Sequence, residues 1–355
     1  MDAFTPQQTV ELVSRIGTKK AHMRLDKLFF NSVMAGPLLG FGCAVMLSTE
    51  TAPWYQEYAP GLIRSVGALL FPIGLVMIVL TGADLFTSNI MFMTTAFLHR
   101  RVSIKDVLIS WVVSYFGNLA GMLFFMAIII GYGGVLTDIP AYKTETINFS
   151  VMKAVTPGWH QIFLRAIGAN WLVCMAVFLS ISARDIGGKI AAIWFPTATF
   201  VALALDHVIA NMFFIPIGIW NGAPFGVGYY IWKSLIPTTI GNMLGGGVFV
   251  GGIYWYLYLT GEDVEVSFDL GGLGSAMEAG GPMGRTTRSD VINGVPSRGE
   301  EGDEVKIAAP GMGGHMVGDH LPHSGGPLQS SVGKELSAEK YGKRKGSDES
   351  EKTAV

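Results

Sequence analysis

Two apolar stretches of this chain, residues 62–97 and 188–219, are too long for one straight membrane crossing, and both are interrupted at the centre by polar residues. The first interruption reads GADLFTSN over residues 82–89, and the second reads LDHVIAN over residues 205–211. A hydrocarbon core accommodates about 20 apolar residues of helix. It holds no water for freed backbone groups, so a chain leaves helical geometry at that depth only where it is buried in protein or lines a cavity. Acids, hydroxyls and amides placed there therefore restrict the fold severely. A helix followed by an interfacial extension is the plainer reading of each stretch, but it does not explain why the two interruptions match.

The rest of the chain follows the same plan. Half of its 355 residues are hydrophobic and 15% are charged, and the apolar residues concentrate between Phe29 and Thr260. Spans are expected at 29–49, 62–97, 106–132, 160–183, 188–219 and 234–259, which makes an all-α membrane protein of six transmembrane helices. A net charge of −2 points to no nucleic acid partner. Cys43 and Cys174 lie within apolar spans and read as unpaired small hydrophobes. The first 28 residues are polar, so the first span is expected to act as its own insertion signal. Lysine and arginine cluster at 15–27, 100–105 and 184–189, whereas residues 50–61 and 220–232 have none. Both termini are therefore expected to face the cytoplasm. The sequon Asn148-Phe149-Ser150 would then face outward as a glycosylation candidate.

Residues 1–28 read as a cytoplasmic amphipathic segment on the membrane surface, a tether in the simpler view and a gating helix in the other. Thr5 is its expected N-cap and Pro6 its first helical residue. Residues 29–260 form the transport domain. Residues 261–355 contain 19 glycines and two aromatics, and such a tail cannot bury enough apolar surface to offset its ordering entropy. It is expected to be a disordered cytoplasmic tail, and its His315, His320 and His323 are not expected to hold a metal. No cofactor is implied.

The two interruptions belong to an internal match. Asp84 and Asn89 correspond to Asp206 and Asn211, five residues apart in both cases. Asn118 follows Asn89 by 29 residues, and Asn242 follows Asn211 by 31. Two groups of three spans with the same polar marks make a 3+3 inverted repeat, because an odd number of crossings turns the second group over. Asp84, Asn89, Asp206, Asn211, Asn118 and Asn242 are read as structural groups that satisfy the breaks and cap the half-helices beyond them. Gly117 and the glycines at 245–247 let neighbouring helices approach closely. Half-helix N-termini aimed at mid-membrane suit an anion.

Together GADLFTSN (82–89), NWLVC (170–174), DHVIANMFFIP (206–216) and TIGNMLGGG (239–247) resemble the formate/nitrite transporter family over residues 25–260. The resemblance implies an aquaporin-like fold, a homopentamer in the membrane lipid and a pore within each subunit for a small monovalent weak-acid anion. It places His207 at the centre of that pore, facing Thr87, with Asn170 close by. Lys153 falls at the position of a vestibule lysine that attracts anions. Phe71, Leu75 and Phe200 fall on one constriction, and Leu85, Phe86 and Val173 on the other. Asp206 stands where bacterial members often have glutamate. The charged N-terminal segment and long tail look like the fungal branch, which favours nitrite taken up across the plasma membrane with protons, as a nitrogen source; formate is the alternative.

The residues make chemical sense on their own terms. An ionisable group within a span is costly and usually functional, and histidine changes charge most readily near neutral pH. A proton lent to a formate or nitrite anion gives a neutral acid that crosses a phenylalanine constriction cheaply. An aquaporin-like channel for neutral solutes would share the architecture, but it usually carries Asn-Pro-Ala at both breaks, and no proline follows Asn89 or Asn211 here. An intramembrane enzyme would need a nucleophile or metal cluster beside Asp206 and His207, and the spans supply none.

Overall fold

The computed structural model describes residues 3–260, so the tail and its three histidines lie outside the described residues. The first helix, α1 (Pro6–Ala21), opens as its sequence predicts. Thr5 Oγ1 accepts from the Gln8 N–H at 3.2 Å, and Gln8 Oε1 accepts from the Thr5 N–H at 3.0 Å. Its placement differs from the surface position expected. Val10, Leu12, Val13 and Ile16 are buried in a core with Phe92, Val177 and Phe178. The polar groups between them are buried as well. Glu11 accepts from Arg15 Nε at 2.5 Å and from Arg101 Nη2 at 2.8 Å, and Ser14 Oγ lies 3.0 Å from His99 Nδ1. Apolar residues on one face describe equally well a helix on lipid and a helix on protein. The charges decided against lipid, because they find partners in the protein.

Helix α2 (Leu25–Glu50) follows. A short α3 (Pro53–Tyr58) leads to α4 (Pro60–Leu70) and α5 (Ile73–Thr81), which are joined at Phe71-Pro72. Proline has no N–H to give the preceding turn, which places the joint there. Helix α5 ends on Gly82 at φ 75°, a left-handed conformation that glycine adopts without strain. Helix α6 (Phe86–Leu98) resumes three residues later, and α7 (Ile104–Phe124) continues through wider turns to Tyr132. Helices α2 and α7 are in backbone contact: a Cβ added to Gly121 would lie 2.8 Å from the Val33 carbonyl carbon. Small residues permit such approaches between apolar helices.

The connection at 133–159 also differs from expectation. It folds into α8 (Pro140–Ala154), which packs on the later α11 through Phe149 and Ser150. Asn148 is exposed in the middle of this helix, whereas a usable sequon sits in a surface loop. Helices α9 (Trp159–Ser182), α10 (Ile186–Ala202) and α11 (Val208–Asn221) come next. The last stretch is α12 (Val227–Tyr230), wider turns to Leu235, α13 (Ile236–Leu244), wider turns again over Gly245–Gly252, and α14 (Ile253–Leu259). By length and composition Leu25–Glu50, Pro60–Thr81, Ile104–Tyr132 and Trp159–Ser182 can cross a membrane. Phe86–Leu98, Ile186–Ala202 and Val208–Asn221 are apolar but shorter. The two long stretches of sequence are thus broken where their polar residues stand, at 82–85 and at 203–207.

Candidate functional site

Both breaks are held by the same set of hydrogen bonds. Asn118 Oδ1 accepts from the Phe86 N–H at 2.8 Å, and its Nδ2 donates to the carbonyls of Ser32 and Asp84, each at 2.8 Å. Asn242 Oδ1 accepts from the Val208 N–H at 2.8 Å, and its Nδ2 donates to Ala166 at 2.7 Å and Asp206 at 3.0 Å. Each carboxamide uses its acceptor and both donors, and each stitches a half-helix N-terminus to a break and to a neighbouring helix. These N-terminal amides are among those a helix leaves unpaired.

Each break aspartate has a buried lysine. Lys20, near the end of α1, donates to Asp84 Oδ1, and Asn31 Nδ2 donates to Asp84 Oδ2 at 2.6 Å and to the Gly82 carbonyl at 2.8 Å. Lys153 Nζ lies 3.2 Å from Asp206 Oδ1 and 3.0 Å from the carbonyls of both Ala204 and Leu205. Lys153 is expected from the resemblance to be a vestibule lysine that attracts anions. It is 6% exposed, and its ammonium hydrogens are directed at the break. It still lines the cleft on this side with Arg64, Phe71, Phe200 and His207. Lys20 lines a second cleft with Gly82, Ser88 and Phe92. Asn31 and Lys20 were not singled out from the sequence. The matched aspartates could have led to Lys20, since a buried carboxylate at Asp84 needs a cation as much as Asp206 does.

The match extends to the backbone. Ala204, which stands where Gly82 stands in the first break, has φ 53°. An alanine there pays about 1–2 kcal/mol for the close approach of its Cβ to the carbonyl. Ala204→Gly is accordingly expected to raise the thermal midpoint in detergent by the equivalent of ~0.5–1 kcal/mol, the relieved strain exceeding glycine's extra freedom when unfolded. A lowered midpoint would show that the lysine contact to the Ala204 carbonyl depends on the side chain.

Between the breaks lie Thr87 and His207. Thr87 Oγ1 and His207 Nε2 are 2.8 Å apart and both residues are buried. His207 also caps its own half-helix: Nδ1 accepts from the Ala210 N–H at 3.2 Å. A backbone N–H can only donate, so Nδ1 carries no proton and the neutral ring holds its hydrogen on Nε2. The Nε2–H therefore donates to Thr87 Oγ1, which leaves the threonine hydroxyl hydrogen for another acceptor. Asn170 Nδ2 donates to the Thr87 carbonyl at 3.1 Å and to the Asn242 carbonyl at 2.8 Å, which ties the two breaks together. Cys174 Sγ adds a weaker contact to the Thr87 carbonyl at 3.4 Å, and a Cβ on Gly246 would lie 2.8 Å from that sulfur.

The aromatic and aliphatic residues expected around this pair fall into two groups. Phe71 and Phe200 meet edge to face at 5.6 Å between ring centroids, and Phe200 lies 5.9 Å from the His207 ring. Leu75, one turn beyond Phe71, is buried beside them. Leu85, Phe86 and Val173 are also buried, and the Phe86 ring packs edge-on against Tyr115 at 5.1 Å. The other two break asparagines do not cap helices as expected. Asn211 Nδ2 reaches Asp206 Oδ1 at 3.2 Å and Ser234 Oγ at 3.4 Å, while the Asn89 carboxamide has no partner among the described groups.

Comparison with known proteins identifies the family. The sequence model of the formate/nitrite transporter family matches residues 7–256. A probable formate transporter of Methanothermobacter thermautotrophicus is 38% identical, over 72% of this chain and 97% of its own length. The uncharacterized transporter YHL008C of Saccharomyces cerevisiae is 36% identical over 72% of this chain, which spans 41% of the yeast protein. Among solved structures, a pentameric formate channel with formate bound is 30% identical and superposes with a TM-score of 0.59, over 66% of this chain and 98% of that one.

Proposed function

We propose that this chain, which belongs to the formate/nitrite transporter family, carries a small planar weak-acid anion, nitrite or formate, past Thr87 and His207 together with a proton. Membership makes it a multi-pass integral membrane protein of a family of transporters and channels, not of enzymes. The intramembrane-enzyme reading is thereby set aside. Nitrite and formate have the same charge, a bent three-atom frame and two terminal oxygens. Both would accept a hydrogen bond from the Thr87 hydroxyl, whose hydrogen is left free by the His207 Nε2–H donating to Oγ1, in the same way.

The observation that carries this reading is the buried 2.8 Å Thr87–His207 pair, set between two breaks and beside the Phe71–Phe200 contact. An anion in a dry constriction meets a large desolvation cost, and a proton acquired near His207 removes most of it. His207 meets this need better as a neutral donor than as a standing positive charge. A second proton on Nδ1 would break the Ala210 cap and place a cation at a half-helix N-terminus. The matched hydrogen bonds at the two breaks support six crossings in a 3+3 inverted repeat. The pentameric state of the solved formate channel supports a pentamer here, and the basic loops support cytoplasmic termini, with the plasma membrane as the site of uptake.

The test is uptake into proteoliposomes of the purified protein. Labelled nitrite and formate are compared at external pH of about 5 and about 7.5, with the proton gradient present or collapsed. Uptake that follows the gradient is the expected result, and nitrite exceeding formate would assign the substrate. Transport of neither anion would overturn the proposal.

A further inference from the structure

The cleft on the Lys153 side contains an acid that the break does not use. Glu50 ends α2, is 7% exposed and lines this cleft with Arg64, Phe71, Lys153, Phe200 and His207. Its Oε1 is buried and has no hydrogen-bond partner among the described residues. Its neighbour Lys153 cannot supply one, because that ammonium is directed at Ala204, Leu205 and Asp206.

The position is built to hold this carboxyl. A Cβ on Gly67 of α4 would lie 2.6 Å from Glu50 Oε1 and 2.9 Å from its Cγ, so the carboxyl occupies the space that a larger residue at 67 would take. Gln56 Nε2 donates to the Glu50 carbonyl at 2.7 Å and to Glu145 Oε2 at 2.8 Å, which brings a second carboxyl alongside. Burial holds the Glu145 carboxyl above the usual carboxylate range. The charged and titratable groups facing Glu50 are thus Arg64 from α4, Glu145 and Lys153 from α8, and His207 from the second break.

An ionised Glu50 suits an anion path badly. Its unpartnered buried oxygen is costly in the charged form, and its field repels an entering anion. In the neutral form it presents an O–H donor. With Lys153 balanced by Asp206, Arg64 then supplies the net charge of the cleft.

We propose that Glu50 is a proton-binding site of this cleft that makes anion entry depend on pH, the neutral carboxyl admitting the anion and the carboxylate repelling it. This rests on the transport reading above. The proton comes from the outside solution and returns to it, and only the O–H bond of Glu50 forms and breaks.

The test compares the full-length wild type with Glu50→Gln in proteoliposomes, as the ratio of formate uptake at external pH of about 5.5 to that at about 7.5. The ratio is expected to fall at least ~3-fold in the variant, because the repulsion present at the higher pH is gone. An unchanged ratio overturns the proposal. So does a folded Glu50→Gln protein that is inactive at both pH values, since the ionised carboxylate would then be the needed form. Infrared difference spectra of purified protein give a readout independent of transport. A protonated-carboxyl band in the wild type at about pH 6 that Glu50→Gln lacks is expected, and no such band overturns the proposal. Wild-type protein that carries neither anion would refute the transport reading instead, with the infrared titration still deciding whether Glu50 holds the proton.

Discussion

Asn118→Ala and Asn242→Ala are each expected to destabilise the protein by ~2–6 kcal/mol, enough to reduce the recovery of folded material sharply. Each carboxamide makes three hydrogen bonds to backbone groups at a break, at 2.7 to 3.0 Å. Alanine would leave one N–H and the break carbonyl of Asp84 or Asp206 without partners, since Ser32 and Ala166 sit inside continuous helices, and each buried orphan costs about 1–3 kcal/mol. In water a solvent molecule would compensate, but within apolar spans the groups stay unpaired. The total is comparable with the whole stability of an ordinary domain, about 5–15 kcal/mol. Asn89→Ala is the control, because the Asn89 side chain is equally buried but has no partner among the described groups. Thermal unfolding in detergent and the monodisperse yield on size exclusion should separate the variants. Equal stability of Asn118→Ala and Asn89→Ala would refute the role given to the three hydrogen bonds.

The contrast shows how far the sequence could be read. Polar residues at the centre of apolar stretches located both breaks, because lipid permits so few reasons for them. The repeat paired Asp84 with Asp206 and Asn118 with Asn242, and the structure gives each pair equivalent bonds. Spacing alone could not rank the asparagines. Asn89 and Asn211 sit on the half-helices and looked like their caps, yet the capping groups come from α7 and α13, 32 and 34 residues downstream of the amides they accept from. Lys20 escaped notice for the same reason. Its partner is 64 residues away, and its own helix has the amphipathic pattern of a surface segment. Glu50 lies at the edge of a span, where a charged residue attracts no attention until Gly67 and Gln56 are seen to enclose it.

His207→Asn is expected to fold normally and to lose transport by on the order of 100-fold, the usual cost of removing one aligned donor from a dry site. The imidazole has two separable tasks. Nδ1 accepts the Ala210 N–H and caps α11, and Nε2 donates to Thr87. Asparagine is a strong N-cap residue, so its Oδ1 can retain the first task while it does not reach Thr87 as the ring does. His207→Ala loses both tasks and is expected to be less stable than His207→Asn by ~1 kcal/mol, the value of a cap. The pair therefore distinguishes a histidine kept for structure from one kept for transport. Measured by uptake of labelled formate or nitrite and by thermal midpoint, the transport reading requires the asparagine variant to be stable and inactive. If that variant were stable and carried anions like the wild type, His207 would be a helix cap with no part in moving the proton. The path would then have to obtain its proton elsewhere, with Glu50 the acid that lines the same cleft.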